Sequence, residues 1–257
     1  MAAGVLDGKV ALVTGGSRGI GRAIARRLAR DGAVVAVGYA SNEQAAAAAV
    51  AEIEQEGGRA FALPAAFGEH GDADRVWAAF DAAGADHAPD GRLDILVNNA
   101  AAPTSPPLTE LTEEQFDQVF AVNVRAPLFL FKQGIDRLRD GGRIVNISSG
   151  AARMALPEIM AYASTKAAVD IFTLNLAKQL GPRGITVNSV APGFVDTDAN
   201  AGWLRGNAEA EAYAASFAAL GRVGQPQDIA DVVAFLASPD GRWVTGQVLD
   251  ATGGAGL

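Results

Sequence analysis

Short, β-branched apolar runs alternate along the chain with longer stretches in which apolar residues recur every three or four positions. The short runs fall at 9–14 (KVALVT), 33–39 (AVVAVGY), 59–63, 93–97, 143–148 (RIVNIS) and 185–190, with a last one near 247–250. Their nearly unbroken apolarity suits strands covered on both faces, as in a parallel sheet. The helical periodicity falls between them, at 20–30, 43–56, 74–83, 113–138, 161–180 and 227–237. Repeated strand–helix alternation with no dividing linker predicts one α/β domain over 1–257, a doubly wound parallel sheet flanked by helices. Two segments break the rhythm. Residues 84–91 (GADHAPDG) read as an exposed polar insertion. Residues 196–219, with Trp203 and Tyr213, read as a loop plus short helix beyond the carboxyl end of a strand, where a substrate lid belongs. The five alanines 45–49 read as plain helix.

Composition narrows the chemistry. A chain of 257 residues, 49% hydrophobic, can bury one large core. The absence of cysteine excludes disulfides, thiolate metal sites and cysteine nucleophiles. His70 and His87 are the only histidines, too few for a multi-histidine centre. The stretch 68–74 (GEHGDAD) sets His70, Asp72 and Asp74 close together, but acids there fit the start of a helix, near the positive end of its dipole, better than a metal site. A net charge of −8 without a basic run argues against nucleic acid or an anionic membrane as partner. The first residues, MAAGVLDGKVALVTGG, lack the basic and long apolar regions of a signal peptide. No apolar run approaches the roughly 20 residues that span a bilayer. A cytoplasmic protein is therefore expected.

The first apolar run leads into T-G-G-S-R-G-I-G (14–21) and then into a helical pattern. Gly15 can make the tight turn, Gly19 lets backbone approach a phosphate, and Gly21 permits close helix–strand packing. Free N–H groups at the helix start complete an anion site. A loop of this kind between first strand and first helix predicts dinucleotide binding, although its spacing is G-x-x-x-G-x-G. NAD sites usually carry an acid about 20 residues on, at the end of the second strand. Here that strand ends V-G-Y-A-S-N, and the first acid after it is Glu43. Ser41, Asn42 and Arg18 suit an anionic 2′-phosphate instead, so NADP(H) is the expected cofactor; Arg18 as a solvated loop charge is the plainer reading of that residue.

Tyr162 and Lys166, in Y-A-S-T-K, lie four positions apart and so about 40° apart on one helical face. Together with TGGSRGIG, NNA (98–100), the asparagine of FAVNVRAP, NISS (146–149), APGFVDT (191–197) and VTGQVLDATGG (244–254), this pentapeptide makes the chain resemble the short-chain dehydrogenase/reductase family over nearly its whole length. The general likeness is to proteins labelled 3-oxoacyl-[acyl-carrier-protein] reductases. The resemblance implies a Rossmann fold and a catalytic tetrad of Asn123, Ser149, Tyr162 and Lys166, with Ser149 preferred to Ser148 because it stands thirteen residues before Tyr162. It also implies cofactor contacts from Gly15, Ser17, Arg18, Gly19, Ile20, Gly21, Tyr39, Ser41, Asn42, Asn98, Ala100, Pro192, Gly193 and Thr197, besides Tyr162 and Lys166. A homotetramer is implied too, with helices 113–138 and 161–180 at one interface and the last strand at another. Two positions depart from the family pattern: Ala101 follows N-N-A where glycine is common, and Ala66 stands where an adenine-contacting aspartate is common.

The residue types suit carbonyl reduction. Tyrosine, with an ordinary pKa about 10, holds its proton at neutral pH; an ammonium at Lys166 would stabilise the phenolate. Ser149 would hydrogen-bond the substrate oxygen, and Asn123 would hold a water that resupplies protons. Residues 101–103, Arg153, Met154, Leu156, Phe194, Trp203 and Leu204 are the candidate pocket, apolar with one cation. Arg183, Arg125 and Arg153 could meet an acidic carrier protein, while Asp140 stands against it. Three readings follow: an NADPH-dependent carbonyl reductase, with 3-oxoacyl thioesters among its candidate substrates; an NAD(P)-dependent dehydrogenase of a sugar, polyol or other alcohol; and a cofactor-binding regulator without turnover, against which the intact tetrad argues.

Overall fold

The computed structural model describes residues 4–102 and 106–256, so Pro103 lies outside the described residues. Seven strands, β1 (Val10–Val13), β2 (Val34–Tyr39), β3 (Arg59–Pro64), β4 (Leu93–Asn98), β5 (Leu138–Ile147), β6 (Thr186–Pro192) and β7 (Val248–Ala251), form one sheet in the order β3-β2-β1-β4-β5-β6-β7. Every neighbouring pair is parallel, and β1 is paired on both sides: Leu12 lies beside Ala36 of β2 and Leu96 of β4.

Successive side chains of a strand point to opposite faces, so each strand feeds two cores. Ala11, Val13, Val35, Val37, Ile95, Val97, Val145 and Ile147 pack on one face under α1 (Gly19–Arg30), α2 (Glu43–Gln55) and α9 (Pro226–Ala237), through residues such as Ile24, Leu28, Ile53 and Val233. Val10, Leu12, Val34, Ala36, Leu96, Ile144 and Val187 pack on the other face under α3 (Asp72–Ala83), α5 (Ala126–Gly134) and α6 (Met160–Leu180). Each fully buried Val, Leu or Ile stabilises the fold by about 1.5–3 kcal/mol relative to exposure. This two-sided cover is why the strands read as unbroken apolar runs. Strand order reverses between β1 and β4, which opens a crevice at their carboxyl ends.

The expected single helix over 113–138 is interrupted. It becomes α4 (Glu113–Phe120), a π-helical turn (Ala121–Arg125) and α5, which ends at Gly134. Pro127 explains the interruption: it has no N–H to give the carbonyl of Asn123 four residues earlier, and the ladder relaxes to an i→i+5 bond from Ala126 N–H to the Ala121 carbonyl. At Gly134, the last residue of α5, an added Cβ would lie 2.2 Å from the Trp77 ring, so glycine allows α5 to pack closely on α3. β5 then starts at Leu138, five residues before the apolar run, with a register shift opposite Leu93 to Ile95 that absorbs Asp140, Gly141 and Gly142.

Other boundaries move less. α3 begins at Asp72, whose buried carboxylate accepts from the Gly68 and Ala73 N–H groups. Segment 84–91 is not wholly exposed: Ala88 is buried, and the His87 ring stacks on Phe61 with centroids 5.0 Å apart. Segment 196–219 holds two helices rather than one, α7 (Ala201–Leu204) and α8 (Ala208–Ser216). Among the described residues, no helix is long and apolar enough to cross a membrane, and no cluster of His, Asp or Glu could hold a metal ion.

Candidate active site

At the carboxyl ends of β1 and β4, the glycine loop is tied down by two polar side chains. The buried Thr14 hydroxyl accepts from the N–H groups of Asn99 and Ala100, each at 3.0 Å, and the Asn99 amide donates to the carbonyls of Thr14 (2.9 Å) and Gly15 (3.1 Å). Gly16 N–H bonds the Gly38 carbonyl at 2.7 Å, which fixes the loop to the end of β2. Gly19 has φ 53°, and a Cβ there would meet Thr197 at 3.4 Å, so the turn after β6 closes on the loop from the other side. No acid occupies the first turn of α1, and Arg18, its N-cap, makes no side-chain cap bond. The Arg18 side chain is exposed, as are Ser41 and Asn42 beyond β2. The Asn42 oxygen caps α2 by accepting from Ala45 N–H (2.9 Å). Ser17 and Asn98 are buried, and Tyr39, Ile20 and Ala100 are half-buried around the same crevice. An anion-binding loop with free helix N–H groups, close glycine backbone and no acid at the second strand end fits a phosphorylated dinucleotide.

Ser148 and Ser149 follow directly on β5, and α6 packs beside them. The Ser149 hydroxyl accepts from Ala151 N–H at 3.1 Å and is hydrogen-bonded to Tyr162. Lys166, only 4% exposed, donates to the Ile147 carbonyl at 2.9 Å, with its Nζ 5.6 Å from the centre of the Tyr162 ring. Burial draws the Lys166 ammonium down to about 8, and the Asp170 carboxylate opposes that fall. Burial lifts the Tyr162 hydroxyl above its ordinary value, and the bond with Ser149 opposes the rise. Lys166, to which the sequence assigns the tuning of Tyr162, thus stands beside its ring while its ammonium donates to the Ile147 carbonyl.

Asn123 sits in the π-helical turn, 2% exposed. Its side-chain oxygen accepts from Ala102 N–H (2.8 Å), and its amide donates to the Thr165 hydroxyl (3.1 Å). Thr165 in turn donates to the Tyr162 carbonyl at 2.6 Å. Thr14, Asn99 and Thr165 therefore brace the site, yet each stood inside a motif without an assigned task. Their only sequence signal was membership of T-G-G, N-N-A and Y-A-S-T-K.

The far wall begins at Pro192 and Gly193. A Cβ on Gly193 would lie 3.0 Å from Thr252, and one on Gly150 would lie 3.0 Å from Thr252 and 3.2 Å from Met154. Phe194 meets the rings of Trp203 (5.8 Å) and Phe217 (5.2 Å) edge-on, and Phe217 meets Tyr213 (5.1 Å). The basic residues considered for a carrier protein are engaged within the chain. Arg153 pairs with Asp250 (2.7 Å), Arg183 pairs with Asp140 (2.8 Å) and bonds the Ile135 carbonyl, and Arg125 bonds the Gly68 carbonyl.

A family model described as enoyl-(acyl carrier protein) reductase matches residues 15–256. The chain belongs to the short-chain dehydrogenase/reductase family. A hydroxynaphthalene reductase-like protein of Metarhizium brunneum is 46% identical over 261 aligned positions, covering 97% of this chain and 96% of that protein. Among solved structures, an angucycline C-6 ketoreductase with bound NADP has a TM-score of 0.93 and 45% identity, covering 98% of this chain and 96% of that one. A promiscuous reductase that catalyses keto-reduction in lugdunomycin biosynthesis has a TM-score of 0.92 and 49% identity, covering 98% and 99%. For this short-chain dehydrogenase/reductase, the seven-stranded parallel sheet and the single Rossmann domain are thus those of its family, and the chain is an oxidoreductase.

Proposed function

We propose that the protein is an NADPH-dependent ketoreductase acting on ketones of polycyclic aromatic, polyketide-like compounds. The observation that carries this reading is the Tyr162–Ser149 hydroxyl pair with buried Lys166, together with the cluster of Phe194, Trp203, Phe217 and Tyr213 in the segment that follows β6. Similar proteins that are described as an angucycline C-6 ketoreductase, a reductase for keto-reduction in lugdunomycin biosynthesis and a landomycin C-6 ketoreductase with bound NADP and rabelomycin support it. The internal pairing of Arg153 and Arg183 favours a free small molecule over a carrier-bound acyl group. Bound NADPH supplies the hydride that reaches the carbonyl carbon. Gly15, Ser17, Gly19, Ile20 and Gly21 would hold its pyrophosphate, with Arg18, Ser41 and Asn42 at the 2′-phosphate. Tyr39, Asn98, Ala100, Pro192, Gly193 and Thr197 would line the rest of its site.

The chain's own groups do the remaining chemistry. Tyr162, kept protonated by burial, gives its proton to the substrate oxygen. Ser149 donates a hydrogen bond to that oxygen as negative charge develops, and Lys166 stabilises the resulting phenolate. Asn123 acts through its backbone: its side chain is committed to Ala102 and Thr165, while Pro127 leaves its carbonyl without the α-helical donor, so this carbonyl can hold a water that returns protons through Lys166. Segment 196–219 serves as the lid. Exposed Phe116, Leu128, Phe129, Ile171 and Leu174, with Trp243 near β7, support assembly as a homotetramer.

Two measurements test the reading. Fluorescence titration is expected to give NADPH at least about tenfold tighter than NADH, equivalent to about 1.4 kcal/mol, with Arg18→Ala narrowing the gap; a preference for NADH would overturn the cofactor assignment. A substrate panel should give the highest kcat/KM with a polycyclic aromatic ketone. Faster turnover of a 3-oxoacyl thioester, of an enoyl thioester, or of a sugar or polyol with NADP+ would overturn the substrate class.

A further inference from the structure

One helical turn beyond Lys166, on the same face of α6, stands Asp170, a half-buried carboxylate to which the mechanism above gives no task. It faces the hydroxyls of Ser148 and Ser189, and its Oδ1 is buried without a hydrogen-bond partner. The same seam contains a chain of buried polar groups: Ser148 donates to the Lys166 carbonyl (3.4 Å), Ser189 and Thr173 share a hydrogen bond (2.7 Å), and Asn146 donates to Thr173 (2.8 Å). These neutral groups hold α6 against β5 and β6, so a charged side chain is not needed to fasten the helix.

Lys166 does need one. An ammonium taken out of water either sheds its proton or finds a counter-charge. The groups that act on it are Tyr162 and Asp170 on its own helix and the Ile147 carbonyl at the end of β5, while the Ser148 hydroxyl bonds its backbone carbonyl. Among the described residues, Asp170 is the carboxylate that acts on Lys166. Burial lifts the Asp170 carboxyl above its ordinary range; the hydroxyls of Ser148 and Ser189 and the cations Arg153 and Lys166 oppose that rise, and Arg153 is also paired with Asp250.

We propose that Asp170 is a positioning residue of the reaction, the counter-charge that keeps Lys166 an ammonium at working pH and so keeps a cation beside Tyr162. Burial alone draws Lys166 down, and Asp170 opposes it; even so, the group lies at about 8, so the margin above neutrality is small. Removing the carboxylate lowers the pH at which Lys166 becomes neutral. Reduction, which needs the charged lysine, is then lost at lower pH. This rests on the role given to Lys166 above.

The test is a direct titration of Lys166 in the ligand-free protein, with no turnover required. The chain has four lysines, Lys9, Lys132, Lys166 and Lys178, so the 13Cε resonance of each can be followed. In Asp170→Asn, which keeps the shape and the serine contacts, the Lys166 midpoint should fall by about half a pH unit or more. Asp170→Glu should restore most of it, and Asp170→Ser is a second variant without the charge. The pH profile of kcat/KM with NADPH should shift its alkaline fall in the same direction, with the acid-side plateau within about twofold of wild type, as one pH unit corresponds to a tenfold change in protonation ratio. An unchanged Lys166 midpoint in both charge-free variants overturns the proposal. So does a uniform loss of activity with no shift of the profile, which is what a merely structural role would give. Near-normal turnover in Lys166→Met would instead overturn the role of Lys166 itself, whatever the titration of Asp170→Asn reads.

Discussion

Tyr162→Phe is expected to lower kcat for ketone reduction by about 10²- to 10⁴-fold, the range typical of a lost general acid, while NADPH binding stays within a few-fold of wild type. The substitution is close to isosteric. The ring that Lys166 approaches at 5.6 Å is kept, and Ser149 still accepts from Ala151 N–H, so no buried polar group is stranded. What disappears is the proton that is transferred to the substrate oxygen. Burial keeps that proton on Tyr162 through the neutral range, so wild-type reduction should be near its maximum there and decline as pH rises through about 8, where Lys166 is half deprotonated. The sign follows from the direction of catalysis: reduction consumes a proton from Tyr162 and profits from a cation that stabilises the phenolate left behind. Single-turnover rates with NADPH, alongside a binding titration, separate the chemical step from affinity. A variant that reduces ketones at near-normal rates would show that the proton comes from elsewhere.

The parallel character of the sheet could be read from the chain because the sheet is covered on both faces, which leaves its mark on every residue of a strand. The family resemblance named Ser149, Tyr162 and Lys166, three residues that the folded chain brings together beyond the end of β5. The interruption at Ala121–Arg125 could not be read from periodicity, since one extra residue in a turn shifts the apolar stripe without breaking it; Pro127 was the available clue. The early start of β5 was hidden because Asp140, Gly141 and Gly142 look like a turn, and only pairing of Leu138 with Leu93 makes them part of a strand. Thr14 and Asn99 are 85 positions apart, and Asn123 and Thr165 are 42 apart. Small polar side chains carry no local sign of their partners, so their bracing role exists only once the fold brings them together. Asp170 was invisible for another reason: an acid on a helix is ordinarily solvated, and here its importance comes from the buried lysine one turn away.

Gly21→Ala is expected to weaken NADPH binding by at least about 100-fold, roughly 2.7 kcal/mol, and to lower Tm by several degrees. Gly21 has an ordinary backbone conformation, so the cause is space and not strain. An added Cβ would lie 2.1 Å from the Gly15 carbonyl oxygen and 2.5 Å from the Asn99 amide nitrogen, whereas ordinary contact begins near 3.4 Å. Both obstacles belong to the clamp on the loop, since Asn99 donates to that same Gly15 carbonyl. The methyl group can be admitted only if α1 lifts from the end of β1 by more than an ångström or if the clamp opens. Either movement displaces the N–H groups that would meet the pyrophosphate, and binding through aligned donors falls steeply with misplacement. Overpacking of this kind typically costs about 1–3 kcal/mol, which for a domain of this size corresponds to about 2–4 °C of Tm per kcal/mol. Gly202→Ala supplies the control, because nothing lies within 4 Å of the Cβ it would add. It should leave both NADPH affinity and Tm at wild-type values. If Gly21→Ala matched that control in calorimetry and in cofactor titration, the loop would not be the rigid cradle on which the cofactor assignment depends.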